Sequence, residues 1–537
     1  MSRRIISVFF VIICLFGFLF FRLSSLIQTE ELTQVAQTHG TYSLKIPQRR
    51  GEIYDCNFKS FVNADTTYLA AVAPTLQSYQ ALENHVQSRD ELLELLEAGK
   101  PFLIQVDTLD IVCKGVQVFP VQERYADEAD GGLAAHIIGY LNGDGEGVSG
   151  VEQAYGDFLK ENGSTVTIRY AVNAAGQMLG EDSIEIQRQG EDNYRGVVLT
   201  LDRNIQQIVQ NAAKGRIDSG AVLVMDVNTG DIKASASYPT FSQKDVASAL
   251  NREDSPLFNR AMGAYNVGST FKLCTTAAAL ESGISPNLGY TCTGEIDVDG
   301  QIFHCHRRQG HGYMDLKHAT ESSCNPFFIH LSLLLGGSPI SSMASRMGFG
   351  RETVLLPDVL TSAAGSLPSG SELRNPAAVA NFGFGQGTLM ATPVQIAQMI
   401  SSIANGGNAV TPRLVQGISD EQGQALAQDQ PQVQPARIFS EDTAKVIREN
   451  MIAVVEEGSG KQAKPIQGGA GGKTASAQTG TYREDGTEIV QAWFAGFYPA
   501  SEPKYAIVVL NEGMESGGDY AAPIFKKICD GLYRMGY

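Results

Sequence analysis

Tyr265-Asn-Val-Gly-Ser-Thr-Phe-Lys272 opens an apolar run that continues to Leu280, and the rest of the chain is best read outward from it. A helical turn here sets Ser269 and Lys272, three residues apart, on one face. A serine hydroxyl is a poor nucleophile until a base takes its proton. A lysine can be that base once burial or nearby positive potential lowers its pKa. The start of a helix supplies such potential, along with amide groups for a developing oxyanion. The bland alternative for Ser269 is a helix N-cap. Ser501-Glu-Pro-Lys504 has the same letters, but Pro503 and the strand-like run after it argue against a helical turn.

Two further stretches carry compatible chemistry. Glu321-Ser-Ser-Cys-Asn-Pro-Phe-Phe328 contains Ser323-x-Asn325, a hydroxyl to relay a proton to a leaving amine and an amide to hold a substrate backbone; a turn or cap is the bland alternative. Ser285-Pro-Asn287 repeats the pattern in a Pro- and Gly-rich connection and reads as a turn. In Gly471-Gly-Lys-Thr-Ala-Ser-Ala-Gln478, a strand puts Thr474 and Ser476 on one face beside Lys473, a set suited to a carboxylate. Gly-Gly-Lys-Thr also resembles a phosphate loop, but the Gly required earlier is missing, because Pro465 to Gln467 occupy that stretch. Gly383-Phe-Gly-Phe-Gly-Gln-Gly reads as a tight backbone segment near the cleft and not as a dinucleotide loop.

A chain of 537 residues exceeds a single core and implies at least two domains. Arg3 and Arg4 precede an apolar run from Ile5 to Phe21 that extends to about Ile27, longer than the core of a cleaved signal. It reads as one uncleaved transmembrane helix with the short N-terminus cytoplasmic and everything after about Gln28 extracytoplasmic. Residues 1–28 are thus the anchor, 29–195 a first α+β domain and 196–537 a second. The first has strand-like runs at Thr67 to Val72 and Phe102 to Val106 and a helical one from Ser88 to Ala98. In the second, Asn204 to Lys214 suits a helix, and Ala221 to Asp226 and Asp231 to Ser237 form a hairpin. Gly472 to Gln478, Ala492 to Phe497 and Tyr505 to Leu510 add three strands, and Pro523 to Tyr533 a closing helix. The expected fold is α+β, an antiparallel five-stranded sheet flanked by helices.

The formal net charge of -17 and the lack of basic clusters argue against a nucleic-acid partner. Of eight cysteines, Cys14 lies in the membrane segment; Cys292 and Cys305 either close a disulfide loop or stay free. Cys274 reads as a buried free thiol, and Cys324 as buried or reactive. His304, Cys305, His306 and His311 invite a metal reading, but no spacing forms a familiar zinc pair, so neither metal nor cofactor is expected.

Ser-x-x-Lys, then Ser-x-Asn 54 residues on, then Lys-Thr 150 beyond that resembles the penicillin-recognising serine enzymes. Gly268-Ser-Thr-Phe-Lys272, Phe384-Gly-Gln-Gly387 with Thr392-Pro393, and Trp493-Phe-Ala-Gly496 with Pro499 look like class B penicillin-binding proteins. Arg49-Arg-Gly-Glu-Ile-Tyr-Asp55, Arg124-Tyr125 and Gly150-Val-Glu152 resemble that class's non-catalytic, elongated pedestal domain, so the likeness covers nearly the whole chain. It implies a peptidoglycan D,D-transpeptidase that binds β-lactams covalently. Ser269 would be acylated by a stem peptide, with Lys272 as base and Ser323 as proton shuttle. Asn325 would position the substrate, and Lys473, Thr474 and Ser476 would bind its terminal carboxylate. The backbone amides of Ser269 and Ser476 would form the oxyanion hole.

The same resemblance implies a separate membrane glycan polymerase as partner, and a role in division, cell shape or sporulation. A carboxypeptidase or β-lactamase on the same fold is one alternative; a catalytically silent scaffold or β-lactam sensor is another. Two departures stand out: Val267 replaces a common Pro, and Ala475 replaces the usual Gly, setting a methyl where substrate comes close.

Overall fold

The computed structural model describes residues 2–27, 40–126, 131–173, 184–428 and 436–537. Two compact units are interleaved along the chain. One comprises Met1–Arg50, Asn63–Arg124 and Asn162–Asn193; the other comprises Gly51–Val62, Tyr125–Glu161 and Tyr194–Tyr537. The pedestal-like motif from Arg49 to Asp55 and the Arg124-Tyr125 pair straddle two of the points where the chain passes from one unit to the other.

The first unit begins with the helix Ser2–Ile27, whose stretch Arg3–Ser25 has a mean hydropathy of 2.6 and no buried share. Among the described residues it is the one unbroken helix long and apolar enough to cross a membrane. The pair Asn325–Leu335 and Gly337–Arg346 is also apolar, but it is bent by 99° and lends buried residues to the core of the second unit. The boundary expected at residue 28 lies outside the described residues. Two three-stranded antiparallel sheets follow. In one, Ser164–Ala171 lies between Thr41–Arg49 and Ile184–Gln189; in the other, Asp65–Val72 lies between Phe102–Val106 and Val116–Glu123. Val166, Ile168 and Tyr170 alternate inward and meet Ala71 and Phe119.

The second unit is built on a sheet of five strands: β1 (Gly220–Asp226), β2 (Ile232–Tyr238), β3 (Gly471–Tyr482), β4 (Glu488–Tyr498) and β5 (Tyr505–Glu512). Their order is β2-β1-β5-β4-β3, antiparallel throughout, so β3 is an edge. The β1–β2 turn forms because Asp226 Oδ1 accepts from the amides of Asn228 and Thr229, both at 2.9 Å. Gly230 completes it at φ +78°, where a Cβ would lie 2.2 Å from the Thr411 carbonyl oxygen.

Both faces of the sheet are buried, which is why β1 and β5 read as continuous apolar runs. Val222, Val224, Ile507 and Val509 pack against helices α1 (Arg203–Ala213) and α6 (Ala522–Arg534). Leu223, Met225, Val508 and Leu510 face α2 (Lys272–Glu281), α4 (Pro393–Ala404) and α5 (Glu441–Glu456). Helix α3 (Asn325–Leu335) follows the second motif. Between α2 and α3 the chain makes a small antiparallel excursion in which Tyr290–Cys292 pairs with Gly312–Met314 and encloses the hairpin Glu295–Val298 and Gln301–His304.

Candidate active site

Gly268 brings the first motif onto the sheet. It lies at φ +62°, its amide donates to the Gly385 carbonyl at 2.9 Å, and a Cβ there would sit 3.0 Å from that of Ala477 and 3.2 Å from that of Ala475. The residues Gly268–Phe271 form a 3-10 turn, with the Lys272 amide donating to the Ser269 carbonyl, and α2 begins at Lys272. The expected helix therefore starts one turn late, yet side chains three apart eclipse in a 3-10 turn, so Ser269 and Lys272 still stack. Ser269 is half-buried, and among the described residues its hydroxyl neither caps the turn nor meets another partner.

Lys272 is fully buried. Its Nζ donates to the Ser323 carbonyl at 2.8 Å and to Asn325 Oδ1 at 2.7 Å, lies 3.3 Å from Ser323 Oγ, and sits 5.3 Å from the centre of the Phe328 ring. Lys473, also fully buried, donates to Ser323 Oγ at 2.9 Å and to the Thr474 carbonyl at 3.0 Å. The Ser323 hydroxyl thus lies between two lysines. Among the described residues, neither lysine has a carboxylate partner. Burial pushes the Lys272 amine down to about 7. Burial, reinforced by repulsion from Lys272, holds Lys473 well below its ordinary value. Ser323 has φ +55°, a left-handed conformation that costs a non-glycine residue energy and that clusters at functional sites.

On β3, Lys473, Ala475 and Ala477 turn to the buried face, while Thr474 and Ser476 share the other. Thr474 Oγ1 lies 2.9 Å from Ser459 Oγ, and Ser476 Oγ accepts from the Gly517 amide at 3.3 Å. Ala475 is 3% exposed, its methyl against the Gly268 turn and not in the open cleft, because the two-residue period sends it opposite Thr474 and Ser476. The β4 residue paired with it, Trp493, donates from Nε1 to the Asn266 carbonyl at 2.9 Å and ties the first motif to the sheet. Thr275 Oγ1 donates to the Gly383 carbonyl at 2.8 Å, which fixes the glycine-rich segment behind the turn.

The structure thus gathers Ser269, Lys272, Ser323, Asn325, Lys473, Thr474 and Ser476 in one unit. The two look-alikes stay apart. Ser285 Oγ accepts from the Asn287 amide in an exposed turn, and Ser501 to Lys504 form the irregular link between β4 and β5. Ser459 went unnoticed in the sequence, since nothing in Glu457-Gly-Ser-Gly460 marks it. Gly458 is what admits it: a Cβ there would lie 2.5 Å from the Glu321 carbonyl oxygen.

Cys292 and Cys305 are free thiols. They gather instead with Cys324 and His311, a set of four ligand atoms within 4.8 Å of one another. His304 stands apart, 3.3 Å from Glu295, and His306 keeps its ring nitrogen 3.9 Å from the Cys305 sulfur. A hydrogen bond from Cys324 draws the Cys305 thiol below its ordinary value.

Residues 220–530, more than half of the chain, match the family model described as the penicillin binding protein transpeptidase domain. The chain belongs to the penicillin-binding protein transpeptidase family. Stage V sporulation protein D of Bacillus subtilis (strain 168) is 29% identical to this penicillin-binding protein over 94% of this chain and 81% of its own length. The peptidoglycan D,D-transpeptidase MrdA of Salmonella typhimurium (strain SL1344) is 25% identical over 99% and 96%. The solved penicillin-binding protein PBP2 from Helicobacter pylori superimposes with a TM-score of 0.69 at 22% identity, covering 92% of this chain and 100% of that one, and so shares the fold.

Proposed function

We propose that this penicillin-binding protein is a serine-type peptidoglycan D,D-transpeptidase, anchored by its N-terminal helix with the catalytic unit on the extracytoplasmic side. The observation that carries the mechanism is a lysine amine wholly buried between Ser323 and Asn325, with no carboxylate partner among the described residues. A neutral amine has two N–H groups, which match the acceptors at 2.8 and 2.7 Å and leave its lone pair for the proton of Ser269. Ser269 Oγ then attacks the carbonyl of the penultimate D-Ala of a stem peptide. The oxyanion is held by the amides of Ser269 and Ser476. Ser323, in reach of both lysines, passes a proton to the departing amine of the terminal D-Ala. Asn325 holds the peptide backbone, and Lys473, Thr474 and Ser476 bind the terminal carboxylate. The amine of a second stem peptide takes the acyl group, forming the cross-link and freeing Ser269.

β-Lactams that present the same carboxylate and carbonyl acylate Ser269 and block it. The motifs from Arg49 to Asp55, Arg124-Tyr125 and Gly150 to Glu152 support reading residues 29–195 as a pedestal domain. A membrane glycan polymerase that supplies the strands to be cross-linked is the partner this reading requires. The sporulation name of the Bacillus subtilis relative supports spore-wall synthesis as the setting. The full chain in detergent, treated with a fluorescent penicillin and analysed by peptide mass mapping, is expected to carry one adduct on Ser269, absent from Ser269→Ala. An adduct elsewhere, or none with the folded protein, would refute the assignment. With stem peptides and an amine acceptor, cross-linked product supports transpeptidation, whereas hydrolysis alone points to a carboxypeptidase.

A further inference from the structure

A cleft of about 550 Å³ opens beside the second motif, large enough for a peptide ligand, and the acylation half of the reaction leaves it without a task. Its inner wall is made of neighbours of the leaving group. Ser322 precedes the candidate shuttle Ser323, and Ser459 Oγ lies 2.9 Å from Oγ1 of Thr474, a candidate binder of the terminal carboxylate. The Ser459 amide donates to the Glu321 carbonyl at 3.1 Å and joins the two segments at that wall. Other side chains of the cleft carry charge that the protein itself leaves unmatched. Among the described residues, the carboxylates of Glu321 and Glu457 and the guanidinium of Arg307 have no hydrogen-bond or ion-pair partner, whereas Asp315 on the same lining is engaged by His318 at 2.7 Å. The two glutamates are neighbours, since a Cβ on Gly458, the residue after Glu457, would lie 2.8 Å from Glu321 Cγ. Two like charges held close without a counter-ion favour the arrival of a cation.

The second half of the reaction supplies the occupant. Expulsion of the terminal D-Ala and attack by the acceptor are one step run in opposite directions on the same acyl-enzyme, so the incoming amine enters where the departing amine left, beside Ser323. The acceptor, an ammonium in solution, first gives one proton to the solvent. Its nitrogen then forms a bond to the acyl carbon as the bond from that carbon to Ser269 Oγ breaks, and a second proton passes through Ser323 to Lys272 and on to Ser269 Oγ. The remainder of the acceptor must run outward from that seat, and Ser322 and Ser459 mark the cleft as its course. We propose, on the transpeptidase reading above, that this cleft seats the acceptor stem peptide: Glu321 and Glu457 draw its ammonium toward the acyl-enzyme, and Arg307 holds a carboxylate farther along the same peptide. Both kinds of charge on a stem peptide then meet a partner that the folded chain has kept free. These three side chains have no part in acylation, so they govern the second substrate and leave the first alone.

The test uses the full chain in detergent, a thioester analogue of the donor peptide, and as acceptor a synthetic stem tripeptide with a free side-chain amine, made in lysine and diaminopimelate versions so that the better one is used. Acylation of Ser269 and transfer to the amine are followed separately, by thiol release and by chromatography of the products. Glu321→Gln and Glu457→Gln are each expected to raise the acceptor concentration for half-maximal transfer about threefold, the size of a solvent-exposed ion pair, with the acylation rate unchanged. Glu457→Asp should restore most of the loss, and Glu352→Gln, a charge removed outside the cleft, should have no effect. Arg307→Ala should weaken the tripeptide acceptor but not free D-alanine, which fills the leaving group's seat alone. Transfer that proceeds normally in all three variants, or a loss that the Glu352 control shares, would overturn the seat while leaving the transpeptidase reading intact. A wild-type chain that is not acylated, or that hands the acyl group only to water, would overturn that reading and the seat with it.

Discussion

Replacing Lys272 by Met separates what this residue does for chemistry from what it costs the fold. Its amine titrates near 7 in the folded protein against 10.5 for an exposed lysine, because burial penalises the ammonium. Between these values the unfolded chain holds a proton that the folded one has released. Folded stability therefore rises with pH across that window, by about 1.4 kcal/mol per pH unit, and the gain is absent below pH 7. Lys272→Met removes the titration, so the stability of the wild type relative to the variant should climb at that slope from pH 7 to pH 9. The comparison cancels groups common to both proteins that Lys272 does not influence; Lys473, relieved of repulsion in the variant, is held common by making the same comparison in a Lys473→Met background. In the same samples, acylation by a fluorescent penicillin should fall about tenfold per pH unit below 7 in the wild type, as the ammonium replaces the base. It should be lost in the variant at every pH. The assay is denaturant unfolding at several pH values beside stopped-flow acylation. A flat stability difference, or a wild-type rate indifferent to pH between 5 and 7, would refute the assignment of Lys272 as a buried, neutral base.

Other substitutions probe the frame around it. Gly268→Ala must hold a side chain at φ +62° and meet the Ala477 methyl at 3.0 Å, which should cost about 2–3 kcal/mol in unfolding free energy and slow acylation by shifting the Ser269 turn. Ala475→Gly removes a buried methyl from the opposite side of that contact; thermal melting should show a loss of about 1–2 kcal/mol, with penicillin affinity nearly unchanged because the methyl does not line the cleft. Ser323→Ala and Ser323→Gly both remove the hydroxyl that Lys473 donates to, and both should lose most acylation. The glycine variant should be the more stable of the two by about 1 kcal/mol, since only it relieves the left-handed backbone.

The sheet was legible because both its faces are buried: β1, β5 and their neighbours read as apolar runs bounded by turn residues, and one of those turns, at Asp226 to Gly230, carries its own hydrogen-bonding chemistry. Spacing along a helical turn and along a strand foretold that Ser269 pairs with Lys272 and Thr474 with Ser476, whereas the meeting of the three motifs, 54 and 150 residues apart, was implied only by the family resemblance. Spacing could not foretell that Ser269 sits in a 3-10 turn, which depends on Gly268 lying against Ala475 and Ala477, a contact some 200 residues away in sequence. Ser459 escaped notice for the same reason: its relevance comes from the approach of Gly458 to Glu321. The cysteine cluster was hidden most deeply. Its members are 13, 6 and 13 residues apart, spacings that belong to no local ligand pattern, and only the fold of the excursion brings them together.

Two buried amines that, among the described residues, have no carboxylate partner leave the cleft with a place for the negative charge that its ligand brings. A carboxylate arriving beside Lys473 raises the affinity of the pair for hydrogen ions, so complex formation draws protons from the buffer. Recognition and acid–base chemistry are then one coupled equilibrium: the heat of binding varies with the ionisation enthalpy of the buffer, and acidic surroundings tighten the hold on substrate even as they disarm the base that would act on it. The working pH of such a site is a compromise between capture and attack, set by the same pair of lysines.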